Sequence, residues 1–194
     1  MGKVIIIAGT PGTGKTTTAK LLSKKINAVH VDVSRYVIEN KLYIDYDPRH
    51  LSYVIDEEKV IEKLIELVEK SDKIVIIDTH YPEILPPDTV EYVFVLRTNP
   101  LILEDRLRKK GWPWRKIREN VMAEILSIVV SNAINRFSED KVFEIDTSNK
   151  TPEKVVEEIT GVIKGYIKPS KQRIDWLSLL KPEDIMRYEI SGEE

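Results

Sequence analysis

The apolar positions of this chain follow two alternating patterns. Short uninterrupted runs rich in β-branched residues occur at Lys3 to Ala8, Ala28 to Val33, Lys73 to Asp78, Tyr92 to Leu96 and Val142 to Ile145. Such runs predict strands buried on both faces. Between them, apolar residues return at three- and four-residue spacing. Ala19, Leu21, Leu22 and Ile26 predict a helix over about 15–25, and Val60, Ile61, Leu64, Ile65 and Val68 predict one from an Asp56 cap to about Lys70. Asn99-Pro100 supplies a cap and a first-turn proline for a helix that stops near Gly111. One long helix is expected from about Trp114 to Arg136, and another begins at Thr151-Pro152 and ends before Pro169. Ser34 to Asn40 reads as a helical turn, and Lys41 to Ser52, polar and aromatic with Pro48, reads as irregular. Pro82, Pro86 and Pro87 mark a loop, and the segment after Lys168 reads as one or two short helices.

Strand and helix thus alternate five times. That order predicts an α/β three-layer sandwich with a five-stranded parallel sheet, and such sheets bind ligands at the carboxyl ends of their strands.

The first strand runs into Gly9-Thr10-Pro11-Gly12-Thr13-Gly14-Lys15-Thr16, which fits G-x-x-x-x-G-K-[ST] between a strand and a helix. The spacing has a chemical reason. Glycines let the backbone wrap a phosphate, and the helix N-terminus adds partial positive charge. Lys15 reaches the β- and γ-phosphates, and the Thr16 hydroxyl ligates Mg²⁺. A dinucleotide loop is excluded because G-x-G-x-x-G is absent. Asp78 ends the third strand, where P-loop enzymes place a carboxylate for Mg²⁺; it could instead cap a loop. His80, two residues on, is a candidate for positioning water or sensing the γ-phosphate. Arg97 ends the fourth strand. Arg106, Arg108, Lys109, Lys110, Arg115, Lys116 and Arg118 crowd around Gly111-Trp112-Pro113-Trp114. They read either as a solvated helix face or as a lid over a nucleotide.

Composition narrows the chemistry. The 194 residues contain no cysteine and three scattered histidines, His30, His50 and His80, so thiol catalysis and a histidine metal cluster are disfavoured. A formal net charge of −2 argues against a globally basic nucleic-acid binder, and no direct sequence-specific DNA binding is expected. No apolar run approaches the ~20 residues of a bilayer span. Met1-Gly2-Lys3 leads directly into the first strand without a secretory signal, and a cytoplasmic, thermophilic source is expected. No N-K-x-D base motif supports a GTPase.

The P-loop, Asp78-Thr79-His80, Phe94-Val95-Leu96-Arg97-Thr98 and Asn120-x-x-x-Glu124 together resemble the adenylate kinase isoenzyme six family, which includes archaeal adenylate kinases that double as ribosome-assembly ATPases. The resemblance covers about residues 3–167. It implies a P-loop kinase domain over 1–168, with a monophosphate-binding region at about 32–55 and a lid at about 109–119, followed by a C-terminal appendage over 169–194. It implies ATP contacts at Gly12, Gly14, Lys15, Thr16, Thr17 and Lys110, catalytic roles for Lys15, Asp78 and His80, and Mg²⁺ held by Thr16 and Asp78. Arg35 and Arg97 are the candidate substrate-binding arginines. Lys110 stands where the family often has arginine, and lysine lacks the bidentate fork. The implied reaction is MgATP plus AMP giving two ADP, with ATPase activity. The implied partners are small-subunit ribosomal protein number eleven and the pre-small-subunit particle. The alternatives are an assembly ATPase with incidental kinase activity, or a shikimate-type kinase in which Asp32 binds a hydroxyl substrate.

Overall fold

A computed structural model describes residues 4–48, 52–168 and 173–189. The chain opens with β1 (Val4–Gly9), α1 (Lys15–Ile26), β2 (Val29–Asp32) and α2 (Val33–Glu39). A hairpin of β3 (Tyr43–Asp47) and β4 (Ser52–Ile55) precedes α3 (Glu57–Glu69) and β5 (Val75–Asp78). Two 3₁₀ turns lead into β6 (Val90–Arg97), followed by α4 (Pro100–Lys109), α5 (Trp114–Ile125) and α6 (Ile128–Phe137). The chain then runs through β7 (Val142–Asp146), α7 (Pro152–Ile163), α8 (Trp176–Leu179) and α9 (Pro182–Met186).

The main sheet has five parallel strands in the order β2-β5-β1-β6-β7, as the alternation of elements predicts. Side chains alternate across each strand. Ile5 and Ile7 therefore pack with Ala19, Leu22, Val155 and Ile159 of α1 and α7. Val4, Ile6 and Ala8 pack on the other face with Val60, Leu64, Val130 and Phe137 of α3 and α6. The register pairs Ile7 with Asp78 and Asp32 with Asp78, so both aspartates lie at the carboxyl edge beside the end of β1. A third apolar cluster joins α4 to α5 through Leu103, Leu107, Ile117, Val121 and Ile125, and Tyr188 of the tail fills it.

Two expectations are corrected. The stretch from Lys41 to Ser52 is not irregular: it contributes to the antiparallel β3–β4 hairpin. Tyr53 contacts Tyr43 and Tyr46 with ring centroids 4.5 and 5.2 Å apart, the cross-strand aromatic pairing that stabilises a small ribbon. The long helix expected over 114–136 is two helices. Ser127 adopts φ 55° between them, and its hydroxyl accepts a hydrogen bond from Arg97 Nη2 at 3.0 Å. The same Nη2 donates to the Glu124 carbonyl at 2.9 Å. The break serves a buried arginine, and the apolar spacing continues across it undisturbed.

In the tail, Trp176 is buried and Leu180 packs against the α4–α5 cluster, whereas Leu177 and Leu179 stay exposed. Residues 169–172 and 190–194 of the expected appendage lie outside the described residues. Among the described residues, no helix is long and apolar enough to cross a membrane.

Candidate active site

The phosphate loop leaves β1 at its buried end and turns into α1. Gly12 and Gly14 have φ of 97° and 100°, a region in which side chains are strained. A Cβ at Gly12 would strike Leu103, but one at Gly14 would meet nothing within 4 Å, so the loop is open on that side. The N-termini of α2, α3, α4 and α7 are capped by Asp32, Asp56, Asn99 and Thr151, while α1 begins at Gly14, as α5 and α6 begin at Pro113 and Ser127, with no side-chain cap and no acid in its first turn. The amide groups of that first turn are thus left for an anion. Lys15 Nζ lies 3.3 Å from the Thr10 carbonyl and folds back over the loop. Burial lowers its ammonium to about 8; Asp78 opposes the shift and Lys110 adds to it. A bound phosphate would raise it again and favour the charged form further.

Asp78 is 3% exposed, and its Oδ2 has no hydrogen-bond partner among the described residues. The Nε2 of His30 stands 3.7 Å away, also without a partner. A buried carboxylate oxygen left unpaired beside a phosphate loop fits a divalent cation arriving with its nucleotide. Thr16, on the first turn of α1, is half-buried and available to the same ion. No cluster of three or more histidine, aspartate or glutamate side chains able to hold a metal occurs among the described residues. The His80 ring lies against that of Tyr81, centroids 4.0 Å apart and planes tilted by 43°. Burial, reinforced by Lys15, lowers its imidazole to about 4 against the pull of Asp78, so it is neutral at pH 7. His30 escapes the linear motifs, yet its place two residues before Asp32 puts both side chains on one face of β2.

Two clefts flank this centre. One, of about 370 Å³, is lined by Gly12, Gly14, Thr17, Arg106, Lys110 and Lys150. The other, of about 310 Å³ along β2 and α2, is lined by His30, Asp32, Arg35, Tyr36 and Glu39. Arg35 is exposed and its Nε donates to Glu39 Oε1 at 2.6 Å; Asp32 accepts from the Arg35 amide and caps α2. The basic segment divides. Arg108, Lys109 and Arg115 pair with acids one helical turn away, a solvated helix face, while Lys110 and Arg106 turn to the first cleft. Arg108 and Lys116 cover the rings of Trp114 and Trp112 at 4.5 and 4.8 Å.

Arg97 is a correction. It is 1% exposed and closed into an ionic lattice. Its Nε donates to Glu124 Oε1 at 2.8 Å, and its Nη1 pairs with Glu144. With every face occupied it holds the helix break and the end of β6, and it does not reach a substrate. Glu124, whose motif is visible but whose role is not, proves central: its Oε2 accepts the Thr10 hydroxyl at 2.6 Å, tying α5 to the phosphate loop. Arg106 Nη2 donates to the Thr147 carbonyl at 3.0 Å, and the Thr147 hydroxyl donates to the Thr13 carbonyl at 3.1 Å. These long-range partners leave no signature in linear spacing.

A family described as an AAA domain matches residues 5–127. A protein of Methanocaldococcus jannaschii named "Putative adenylate kinase" is 42% identical over 172 residues, covering 89% of this chain and 92% of the relative. One of the same name from Pyrococcus abyssi is 38% identical over 192 residues, covering 98% and 99%, so that match takes in the tail. Among solved structures, a thymidylate kinase from Candida albicans superposes with a TM-score of 0.56 at 17% identity, covering 84% of this chain and 92% of that one. A shikimate kinase from Bacteroides thetaiotaomicron gives a TM-score of 0.56 at 17% identity, covering 84% and 98%. These two show the fold. Near-complete coverage by the archaeal relatives, on a sheet that sets a phosphate loop beside a free carboxylate, shows that the chain belongs to the archaeal adenylate kinase family of P-loop proteins.

Proposed function

We propose that this protein is a nucleoside monophosphate kinase that transfers the γ-phosphoryl group of MgATP to AMP, reversibly giving two ADP, and that it also hydrolyses ATP. One observation carries the reading: Lys15 and the unpaired Asp78 stand together at the strand ends, between a cleft lined by the phosphate loop and a cleft lined by α2. Two clefts either side of one cationic centre suit a donor and an acceptor.

On the donor side, Gly12, Gly14, Thr17 and Lys110 hold ATP, and Thr16 and Asp78 would hold the Mg²⁺ that arrives with it, which would supply charge neutralisation on the phosphates. On the acceptor side, the insert over about 32–55 receives AMP, with Arg35 at the rim; His50 of this region lies outside the described residues. An oxygen of the AMP phosphate forms a bond to the γ-phosphorus while the bond from that phosphorus to the β,γ-bridging oxygen breaks, and ADP leaves with the electron pair. The attacking oxygen is already ionised, so no strong base is needed. Lys15 and the amides of the loop and first turn stabilise the charge spread over the transferred group. Neutral His80 orients water when no acceptor is bound, which is the ATPase reaction.

Asp32 is engaged as the α2 cap, which favours a phosphate acceptor over a hydroxyl-bearing metabolite of the shikimate type. A role in small-subunit maturation with ribosomal protein number eleven, and the cytoplasmic setting it requires, rest on the family resemblance. A coupled assay of MgATP with each nucleoside monophosphate, and with none, tests the reading. Turnover should be fastest with AMP; turnover unchanged by any monophosphate would leave an ATPase. Binding to the purified ribosomal protein tests the second role.

A further inference from the structure

The tail contains none of the nucleotide motifs, yet it docks behind the phosphate loop. Trp176 is 5% exposed, and its indole Nε1 donates to Glu124 Oε1 at 3.1 Å. That oxygen also accepts from Arg97 Nε at 2.8 Å and from the Thr98 amide at 3.0 Å. The other oxygen of Glu124 accepts from the Thr10 hydroxyl, and the Thr10 carbonyl receives both the Thr13 hydroxyl at 2.9 Å and Lys15 Nζ at 3.3 Å. A continuous series of hydrogen bonds therefore runs from the tail indole to the phosphate-binding lysine. Hydrogen bonds to charged groups in a buried setting are strong and geometrically specific.

Charge balance points the same way. Glu124 and Glu144 are both buried, and within the catalytic unit both pair with one guanidinium, that of Arg97. The tail brings the second cation, Arg173, 3.5 Å from Glu144 Oε1. It also presents the Ile174 amide to Glu144 Oε2 and the Ile174 carbonyl to Arg97 Nη1, each at 3.4 Å. Without the tail, two buried carboxylates would share one arginine, and Glu124 would lose one of the three donors that fix its Oε1. Farther along, Tyr188 sits fully buried between the two helices that flank the 110–113 loop, and its hydroxyl donates to Glu104 Oε2.

We infer that the C-terminal segment is a positioning element of the nucleotide site: Trp176 holds the Glu124 carboxylate, which sets Thr10 and, through its carbonyl, Lys15. Trp176 and Glu124 touch no substrate and act through the loop. The inference rests on the phosphate loop as the nucleotide site and is independent of which acceptor is used.

The test is calorimetric binding of MgADP to the full-length chain, with steady-state kinetics at a temperature well below melting. Trp176→Phe keeps the ring and removes the N–H. It should weaken MgADP binding by about three- to tenfold and raise the KM for MgATP in step, with the KM for AMP unchanged. Leu180→Ala, which trims apolar packing on the α4–α5 cluster and removes no hydrogen bond to Glu124, should lower the melting temperature and leave MgADP affinity unchanged. In a Thr10→Val background, Trp176→Phe should add less than twofold, because the series is already cut. Wild-type affinity in Trp176→Phe, equal affinity losses in Trp176→Phe and Leu180→Ala, or additive effects with Thr10→Val would each overturn the inference. If the wild type binds MgADP but does not phosphorylate AMP, the kinase reading falls, while weaker MgADP binding by Trp176→Phe still supports the positioning role.

Discussion

The two sides of the phosphate loop handle charge in opposite ways. Behind it, Arg97, Glu124 and Glu144 are buried and bonded to one another, to Ser127, to the Thr98 amide and to Trp176. In front, Lys15 is desolvated with the Thr10 carbonyl at its ammonium, the Oδ2 of Asp78 and Nε2 of His30 stand 3.7 Å apart without hydrogen-bond partners among the described residues, and α1 starts without a side-chain cap. Burying polar groups without partners costs stability, so proteins keep few of them. The bonded charges behind hold the loop's shape, and the proposed function assigns the open polar atoms in front to a phosphate and its cation. The rear is the more fully bonded side: of its three charged groups only Glu144 Oε1 lacks a hydrogen bond among the described residues, and Arg173 stands 3.5 Å from it.

Breaking the rear should cost the fold. Arg97→Ala leaves Glu124 and Glu144 without the guanidinium they share, and removal of one member of a buried ionic group costs about 3–5 kcal/mol. A chemical-denaturation curve should show that loss. Substrate binding by Arg97 would predict instead a stable protein with a raised KM for AMP.

Breaking the front should cost the chemistry. Lys15→Ala should lower turnover by about 10²–10³, roughly 3–4 kcal/mol of barrier, while the melting temperature stays within a few degrees of wild type. Turnover near that of the wild type would show that the loop is not the phosphate site.

Within the front, Asp78 and His80 should part company. Asp78→Asn should raise the Mg²⁺ concentration needed for both transfer and hydrolysis. His80→Ala should reduce hydrolysis about tenfold more than transfer to AMP, a difference of about 1.4 kcal/mol between the two barriers. Equal losses after correction for ATP affinity would remove the water-orienting role.

The smallest effect concerns pH at the tail. Burial alone would raise the Glu104 carboxyl, but the Tyr188 hydroxyl and the guanidinium groups of Arg108 and Arg187 hold it below its ordinary value of 4.5. A depressed carboxyl contributes stability above its unfolded pKa and loses it as pH falls through the folded one. Between about pH 6 and 3 the wild-type melting temperature should therefore fall more steeply than that of Glu104→Gln, by a few degrees in all. Parallel curves would show that these contacts do not favour the ionised form.

Much of this division was legible in the sequence, and unevenly. The front announces itself, because a loop that wraps phosphate needs glycine, lysine and threonine at fixed local spacing, and Asp78 follows an unmistakable buried strand. The sheet was legible for the same reason: period and polarity are local. The rear was not. Arg97 at a strand end looks the same whether it meets phosphate or Glu124, 27 residues away. The break at Ser127 is set by that distant guanidinium while the apolar period runs on unchanged. Tyr43 and Tyr46 read as loop residues because the β3–β4 ribbon is held by their ring contacts with Tyr53 across the hairpin and not by a buried apolar face. Trp176 falls in a segment that reads as short helices, and nothing in its neighbourhood along the chain points to Glu124.

The most direct test of the central claim is the stoichiometry of ADP formed per ATP consumed, measured with excess AMP by chromatography of the quenched reaction. Transfer across the front of the loop to a bound monophosphate predicts two ADP per ATP, with AMP falling in equal amount. One ADP per ATP with AMP untouched would mean that the open charges serve hydrolysis alone, and would contradict the assignment of the second cleft to an acceptor nucleotide.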